Sequence, residues 1–471
     1  MGDLEQLDAC QLAHLLRTSE LSPFELTSQT IAHIKAKEPH LNALTNNCFE
    51  EALERAKNPL PIGTFAGIPW LMKDLVDTPY LPRSNGSHFA LEQNNKQFSN
   101  FVKAAKTSGF NLLAMTNTPE FGCSVHTNNI RFGETKNPWS DTSPAGSSGG
   151  SAVAVAAGYV PMAHATDGGG SIRLPSSYCG VFGFKPTRGS NYCAEISGQR
   201  DLIKHHHVIS RSVRDSATFL DLTTPPVELN YSELNKSKDQ VLRIAVDYGG
   251  LLGVQLEVEQ LNAIKSTSIL LNNMGHDLVE WQQWPVCGKE YFHNFENVML
   301  SRIPRLVKLI EQSTGKDFNE NKWLSPYVTS MGPRALTLKG DEFNRAKEYF
   351  AKTNLAVNQA MIEAKVDVIL SPVQPLDFLA SDNLSPYRKY EDIKCDLNEF
   401  LSYTVLANGT GAPAMSVPLY WSSDNHPLGS HFYAKPGNDA VLMKLAFDLE
   451  QAQPWGHQYE KLATNSYKEL R

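Results

Sequence analysis

The stretch of sequence that decides the fold lies between residues 138 and 189. It reads Pro-Ala-Gly-Ser-Ser-Gly-Gly-Ser at 144–151, Thr-Asp-Gly-Gly-Gly-Ser-Ile-Arg-Leu-Pro at 166–175 and Lys-Pro-Thr-Arg-Gly at 185–189. Consecutive glycines allow a sharp backbone turn that exposes successive N–H groups. Such groups at the start of a helix favour negative charge. The two glycine and serine clusters are therefore the part of the chain best suited to chemistry.

Three interpretations of these clusters compete. A flexible Gly/Ser linker is disfavoured because helix-forming Ala and Val fill residues 152–157 and the second cluster ends in a defined Ser-Ile-Arg-Leu-Pro. A phosphate-binding loop is disfavoured because the Gly-Lys-Ser/Thr ending of a P-loop is absent. The third interpretation is nucleophilic catalysis, in which Ser171 attacks a carbonyl carbon and the N–H groups around it bind the oxyanion. We favour the third.

The same residues resemble the amidase signature enzymes. That family carries a Gly-Ser-Ser-Gly-Gly-Ser cluster followed by Thr-Asp-x-Gly-Gly-Ser-Ile-Arg-x-Pro. Ser147 and Ser171 lie 24 positions apart, as in the family, and Gly-Ile-Pro-Trp-Leu-Met-Lys-Asp at 67–74 matches its lysine-containing segment. Two departures are Ala145 and Ala165, which stand where glycine is usual. Neither departure removes a catalytic side chain.

The resemblance extends from Phe65 to Trp455 and implies an α/β architecture. The expected form is the amidase signature fold, an α/β/α sandwich around one large twisted mixed β-sheet. The residue pattern favours the same class, because predicted strands and helices alternate through the signature region.

The resemblance also implies the site residues and their roles. Ser171 is the nucleophile, Ser147 relays protons and Lys73 is the base, with a cis peptide between Gly146 and Ser147. The oxyanion and substrate contacts are assigned to backbone groups, and two charged side chains brace the turn. The backbone groups belong to Gly168, Gly169, Gly170, Ser171 and Gly122. The bracing side chains are those of Asp167 and Arg173.

Lys73 has two interpretations from the residues alone. It ends the apolar run 68–72, which predicts a buried strand, and burying an ammonium is costly. Its side chain could reach solvent and pair with Asp74 or Asp77. Alternatively it is buried and neutral, since burial lowers the pKa of a lysine and makes it a base. The two serine clusters favour the base, because Ser-Lys arrangements are known variants of the serine triad.

Composition and charge exclude other classes of protein. The chain has 471 residues and a net charge of −7, which argues against a nucleic-acid-binding surface. No apolar stretch approaches the roughly 18 residues of a membrane span, and residues 1–5 lack the features of a secretory signal. Seven scattered cysteines without a C-x-x-C pair suit reduced thiols and a cytoplasmic protein. They are Cys10, Cys48, Cys123, Cys179, Cys193, Cys287 and Cys395.

Neither a metal nor a cofactor is expected. The run His205–His206–His207 is the only histidine cluster in the sequence. We predict that it lies in a loop and is solvated or packed, because no second group of ligands is near it in sequence.

We predict a single amidase domain, 1–471, made of four parts. These are an N-terminal helical part (1–60), the signature core (65–225), a variable substrate-pocket region (226–381) and a C-terminal part that completes the sheet (382–471). The variable region offers aromatic side chains for the pocket, although each alone is more often a core residue. These are Trp281, Trp284, Tyr291, Phe292 and Trp323.

Two other functions stay open beside a stand-alone amidase for linear or cyclic amides, such as those of 6-aminohexanoate. One is the glutaminase subunit of a tRNA-dependent amidotransferase. The middle region lacks that subunit's Arg-Tyr-Asp-Gly and Gly-x-Glu-Val-x-Arg-Arg segments. The other is an inactive binding protein, which the retention of Lys73, Ser147 and Ser171 argues against. For a stand-alone enzyme we expect a small-molecule amide substrate and no nucleic-acid or membrane partner, and a homodimer is compatible with it.

Overall fold

The computed structural model describes residues 4–89, 98–140, 142–192, 202–225, 229–238, 240–380, 382 and 384–465. The strands in these ranges are β1 (Leu44–Asn47), β2 (Pro69–Lys73), β3 (Asn111–Thr116), β4 (Asn128–Asn129), β5 (Gly133–Glu134), β6 (Met162–Asp167), β7 (Phe182–Lys185), β8 (His205–Ser210), β9 (Arg243–Val246), β10 (Asp277–Glu280), β11 (Val368–Pro372), β12 (Ala414–Trp421) and β13 (Pro427–Ala434). The α-helices are α1 (Ala9–Arg17), α2 (Pro23–Leu41), α3 (Phe49–Ala56), α4 (Asn100–Thr107), α5 (Gly149–Ala156), α6 (Arg173–Cys179), α7 (Val213–Thr223), α8 (Val258–Asn273), α9 (Gly288–Leu300), α10 (Ile303–Thr314), α11 (Pro326–Leu336), α12 (Glu342–Glu363), α13 (Tyr390–Phe400), α14 (Val405–Thr410), α15 (Asp439–Ala452) and α16 (Gln458–Asn465).

The centre of the fold is an eight-stranded mixed sheet. Its strand order is β10-β9-β11-β13-β12-β7-β8-β6. The β9 strand pairs in parallel with both β10 and β11, and the other neighbours pair antiparallel. The C-terminal hairpin of β12 and β13 therefore lies in the middle of the sheet, between the signature strand β7 and the strand β11.

Both faces of this sheet are covered. Along β11 the side chains of Val368 and Leu370 enter one hydrophobic core, and Ile369 between them enters the other. Successive side chains of a strand point to opposite faces, so two buried cores mean helices on both sides. This is the predicted α/β/α sandwich, and the fold is an α/β fold.

The small-residue helix α5 is buried along its whole length. At Gly150 an added Cβ would lie 2.5 Å from both the Asn117 backbone nitrogen and the Ala43 carbonyl oxygen. Only glycine permits such a close approach of two backbones. The helix therefore starts deep in the molecule and carries Ser147 and Ser148, which immediately precede it, into the interior.

A second sheet positions Lys73. It has the order β1-β3-β2, with β2 parallel to β3 and β1 antiparallel to β3. All five residues of β2 are buried. The strand packs beside β6, and the backbone N–H of Lys73 donates to His164 Nδ1 of β6 at 3.3 Å. The carboxyl ends of β2 and β6 thus lie close to the start of α5.

Local signals predicted some elements correctly and others wrongly. The Ser-Pro-Phe-Glu pattern at residues 22–25 predicts a helix start, and α2 begins there with a complete capping box. Pro39 is a stop signal that predicts the end of this helix, but it lies inside α2, which continues to Leu41. A proline in the last turn leaves most helical hydrogen bonds intact, which explains why the helix tolerates it.

The histidine run was predicted to be a loop, and that prediction is wrong. Residues 205–207 begin β8, and all three imidazoles are buried. His206 Nδ1 lies 3.0 Å from His164 Nε2, and His207 Nε2 lies 2.8 Å from Ser216 Oγ. Burial lowers the pKa of these imidazoles, so they are neutral and pack as polar core residues.

Among the described residues, no helix is long and apolar enough to cross a bilayer.

Candidate active site

Three hydroxyl groups surround the amine of Lys73. Its Nζ lies 2.7 Å from Ser147 Oγ, 2.8 Å from Ser148 Oγ and 3.0 Å from Thr166 Oγ1. The lysine extends from the end of β2, the two serines precede α5, and Thr166 lies on β6. The predicted proximity of Lys73 and Ser147 is confirmed.

The Lys73 side chain is completely buried. Burial lowers its pKa well below the ordinary value, and the nearby positive charge of Lys204 lowers it further. The carboxylate of Asp167 acts in the opposite direction and is the weaker influence. Because desolvation disfavours the charged form of an amine, burial favours the neutral form of Lys73. The alternative in which Lys73 reaches solvent and pairs with an aspartate is excluded.

The two serines of the signature open onto one cavity. The peptide between Gly146 and Ser147 is cis, as predicted. Ser147 and Ser171 both line a cavity of about 930 Å³, together with Gly122, Gly168 and Gly169. Ser171 is partly exposed at the turn between β6 and α6. The sequence motifs that are 24 positions apart therefore meet at one site.

A buried ion pair holds the turn that carries Ser171. Asp167 accepts from the N–H groups of Gly170 at 2.7 Å and Ile172 at 3.2 Å. The Arg173 guanidinium contacts the same carboxylate through Nε and Nη2, each at 3.0 Å. Burial alone would raise the pKa of the Asp167 carboxyl, but the Arg173 charge and hydrogen bonds hold that pKa well below its usual range.

The same arginine ties this turn to the C-terminal part of the chain. Its Nη1 donates to the Thr404 carbonyl and lies 2.9 Å from His431 Nε2, and its Nη2 donates to Asn408 Oδ1. Asn408 in turn donates to Asp167 Oδ1 at 2.8 Å. Asp167 and Arg173 therefore lie in the bracing position that was predicted for them.

Not every predicted oxyanion donor is available. The Gly170 N–H is bound to Asp167, and Gly170 does not line the cavity among the described residues. The N–H of Gly122 donates to the Pro119 carbonyl at 2.8 Å, so this residue meets a ligand only through its Cα and carbonyl. The N–H groups of Gly169 and Ser171 have no acceptor among the described residues, and they are the better candidates for an oxyanion hole.

The aromatic residues expected to line the pocket do not line it. Trp281, Tyr291 and Phe292 are core residues, and the Tyr291 hydroxyl donates to the Val405 carbonyl at 2.8 Å. Trp284 packs against the same core and donates to Asp247, whereas Trp323 is 54% exposed. The cavity has other apolar side chains instead, from α9, α10, α13 and the loops after β2 and β3. They include Phe121, Phe295, Met299, Ile303, Leu306 and Leu397.

One group of possible metal ligands occurs among the described residues, and it lies elsewhere. Asp8, Cys10 and Asp215 approach one another at the start of α1. Asp215 accepts from the N–H groups of Ala9 and Cys10, and Asp8 pairs with Arg214. Burial, assisted by Asp215, raises the pKa of the Cys10 thiol to about 12. These carboxylates serve the helix start and an ion pair, and none of the three residues lines the cavity.

Sequence reasoning did not assign Ser148, Thr166 and Asn408 to the site. Ser148 and Thr166 are neighbours of Ser147 and Asp167 in the signature, so their position in the motif could have assigned them to the site. Asn408 lies 241 residues from the aspartate it contacts. His164, a buried residue of β6, accepts a hydrogen bond from the Lys73 backbone N–H through Nδ1.

Comparisons with known proteins agree with this geometry. The profile of the family described as Amidase matches residues 25–443. A 6-aminohexanoate-cyclic-dimer hydrolase of Paenarthrobacter ureafaciens is 31% identical, and the match covers 98% of each chain. A putative amidase, AmiC, of Mycobacterium leprae is 32% identical, with 96% of each chain covered. A solved structure of 6-aminohexanoate cyclic dimer hydrolase complexed with substrate superposes with a TM-score of 0.87 at 29% identity, covering 96% of this chain and 98% of that one.

The match of the family profile over most of the chain, with the signature motifs in place, defines the class of protein. The chain belongs to the amidase family and has the amidase signature fold. It is an enzyme of the class that hydrolyses carboxylic amide C–N bonds.

The buried ion pair generates a prediction about stability. We expect Arg173→Met to lower the free energy of unfolding by about 3–5 kcal/mol, because it leaves the Asp167 carboxylate buried without its cation. The measurement is chemical or thermal denaturation. The control is Arg345→Met, which removes an exposed pair with Asp341 and should leave stability near that of the wild type. Equal effects of the two substitutions would contradict a supporting role for the buried pair.

Proposed function

We propose that this protein hydrolyses amides through a Ser-Ser-Lys triad and an acyl-enzyme intermediate. Ser171 is the nucleophile, Ser147 the proton relay and Lys73 the base. The observation that carries the proposal is the buried Lys73 amine within 2.7 Å of Ser147 Oγ. A neutral amine at that distance has a lone pair to accept a proton, and a hydroxyl can both donate and accept.

The hydrogen bonds around Lys73 support this direction of proton transfer. The Ser148 hydroxyl donates to the Thr166 carbonyl at 3.2 Å, so Ser148 Oγ receives a hydrogen from Nζ. A neutral amine has two N–H donors and one lone pair, and three hydroxyls surround it. With Ser148 and Thr166 accepting the two hydrogens, the lone pair is directed at Ser147. Ser147 then donates to Lys73 and can accept from Ser171.

The reaction follows from this arrangement. Ser171 Oγ attacks the amide carbon and passes its proton to Ser147 as Ser147 passes its own to Lys73. The oxyanion accepts from the N–H groups of Gly169 and Ser171. The C–N bond breaks as the proton returns from Lys73 through Ser147 to the leaving nitrogen. Water then attacks the Ser171 ester by the same relay, releasing the acid and restoring the serine.

We further propose that the enzyme acts on a small-molecule amide without a second kind of subunit, as a monomer or a homodimer, and without binding nucleic acid or membranes. The apolar side chains of the cavity support a substrate with an apolar acyl or amine portion. We place the enzyme in the cytoplasm. The six cysteines in the described part of the chain are free thiols, which suits a reducing compartment.

The assignment of the nucleophile leads to one prediction. Ser171→Ala should reduce kcat by at least about 10⁴-fold, because the attacking oxygen is removed. A fluorophosphonate probe should label Ser171 in the wild type and fail to label the variant. Ser313 lines the same cavity, and Ser313→Ala is the control that should retain labelling and turnover. Labelling of another serine would refute the assignment.

The assignment of the base leads to a second prediction. Lys73→Arg should be inactive, since a guanidinium keeps its proton at neutral pH, and Lys103→Arg, at an exposed lysine, should be active. In the wild type, kcat/KM should rise with pH as one group loses its proton, and level off well below the ordinary lysine pKa of 10.5. Normal turnover by Lys73→Arg would make Lys73 a structural cation.

The Lys204 charge gives this pH profile a further test. A cation near Lys73 disfavours the protonated amine and lowers its pKa. Lys204→Gln should therefore raise the pKa of Lys73 and shift the rising limb of the profile to higher pH. A shift to lower pH would contradict Lys73 as the titrating group.

The proposal also separates this enzyme from a glutaminase subunit. We expect the isolated protein to hydrolyse an apolar anilide with a higher kcat/KM than free glutamine, because apolar side chains line much of the cavity. Activity should be unchanged when synthetase-like subunits of an amidotransferase are added. If glutamine were the better substrate, or if turnover required those subunits, the amidotransferase function would replace the one proposed here.

A further inference from the structure

The cavity has a strong imbalance of charge. Five of the described residues that line it carry basic side chains, and no described Asp or Glu lines it. The basic residues are Arg83, His88, Lys204, Arg302 and Arg305. Since like charges repel and opposite charges attract across a partly apolar space, such a cavity favours an anionic ligand.

The basic residues do not all have the same use. Arg83 Nε lies 3.3 Å from Asp77 Oδ1, so its charge is already paired. His88 stacks edge-on against Trp323, and desolvation followed by the charge of Arg131 lowers its pKa. Lys204 is near enough to Lys73 to affect its pKa and so belongs to the reacting end. Arg302 and Arg305 lie in a different part of the cavity, at α10.

These two arginines project from one side of α10. Arg302 precedes the helix, and Arg305, Leu309 and Ser313 follow at intervals of three or four residues, the spacing that places side chains on one helix face. All four residues line the cavity. Both arginines are exposed, and Arg305 makes no ion pair with any described residue.

Apolar side chains also line the cavity that contains both the serines and these arginines. Phe295 and Met299 come from α9, and Ile303 and Leu306 from α10. A ligand that fills this cavity has an amide at Ser171, an apolar middle and a polar end at α10. Guanidinium groups bind carboxylates through paired hydrogen bonds.

We propose that the substrate carries a carboxylate that Arg305 binds, separated by an apolar spacer from the amide that is cleaved. This inference rests on the proposed amidase function and specifies its substrate class. An α-ammonium group beside the carboxylate would lie among cations, with no described acid to pair with it. Among the described residues, the lining therefore suits an acid without a neighbouring amine better than free glutamine.

The test compares matched anilides that differ only in the charge of the remote group. One member carries a terminal carboxylate on a straight acyl chain, as in adipic acid mono-4-nitroanilide, and the other carries a terminal hydroxyl, as in 6-hydroxyhexanoic acid 4-nitroanilide. A second pair places the carboxylate or hydroxyl on the amine portion. We expect the wild type to prefer the anionic member of at least one pair by about tenfold in kcat/KM, the effect of one charge-assisted hydrogen bond.

Variants of α10 identify the source of this preference. Arg305→Gln should reduce the preference several-fold, mainly through a higher KM for the anionic substrate, because the lost contact is made in ground state and transition state alike. Lys308→Gln is the matched control, since Lys308 lies on the same helix, is exposed and does not line the cavity. It removes the same charge and should leave the preference unchanged. A wild type without a preference in either pair, or an equal loss in both variants, would overturn the inference.

A binding measurement separates this inference from the proposed function. In Ser171→Ala, the dissociation constants of the anionic and neutral anilides are measured by calorimetry. Tighter binding of the anion that Arg305→Gln abolishes would support the carboxylate site even if no amide were hydrolysed by the wild type, in which case only the amidase proposal would fail. Hydrolysis of both anilides with equal dissociation constants would overturn the carboxylate site and leave the amidase proposal intact.

Discussion

The burial of the Lys73 amine is the constraint on which the rest of the site depends. A lysine removed from water is costly if it is charged, so its position at the end of β2 requires partners that suit a neutral amine. Three hydroxyls from two other elements provide them, and Ser147 is the one that also opens onto the cavity. The desolvation that makes a charged lysine costly here also lowers its pKa, which favours the neutral amine whose lone pair can accept a proton.

A second buried charge has a different role. The Asp167–Arg173 pair satisfies the backbone of the turn that carries Ser171 and extends to Thr404, Asn408 and His431. A buried ion pair contributes little net stability compared with apolar packing, but removing one partner is costly. Its value lies in position, because each hydrogen bond fixes the turn relative to β6 and to the C-terminal segments. The position of the candidate nucleophile therefore depends on residues far away in sequence.

The cavity is lined by two parts of the chain. The candidate catalytic residues lie at the end of β2, in the turn after β6 and just before α5, in the signature core. Much of the apolar lining and the two arginines come from α9 and α10, in the middle of the chain. One cavity therefore combines residues of the signature core with residues from the middle of the chain.

The sequence by itself located the candidate site residues. The signature motifs identified Lys73, Ser147, Ser171 and the Asp167 brace, because each depends on a short pattern of glycines and polar residues. Only the tertiary structure decided that Thr166 and Ser148 contact the Lys73 amine and that Asp167 accepts a hydrogen bond from the Gly170 N–H. It also decided that Trp281 and Tyr291 are core residues and that side chains of α10 line the cavity. These outcomes depend on which faces of distant helices and strands meet, and a linear pattern of apolar residues specifies that a face is buried but not what it is buried against.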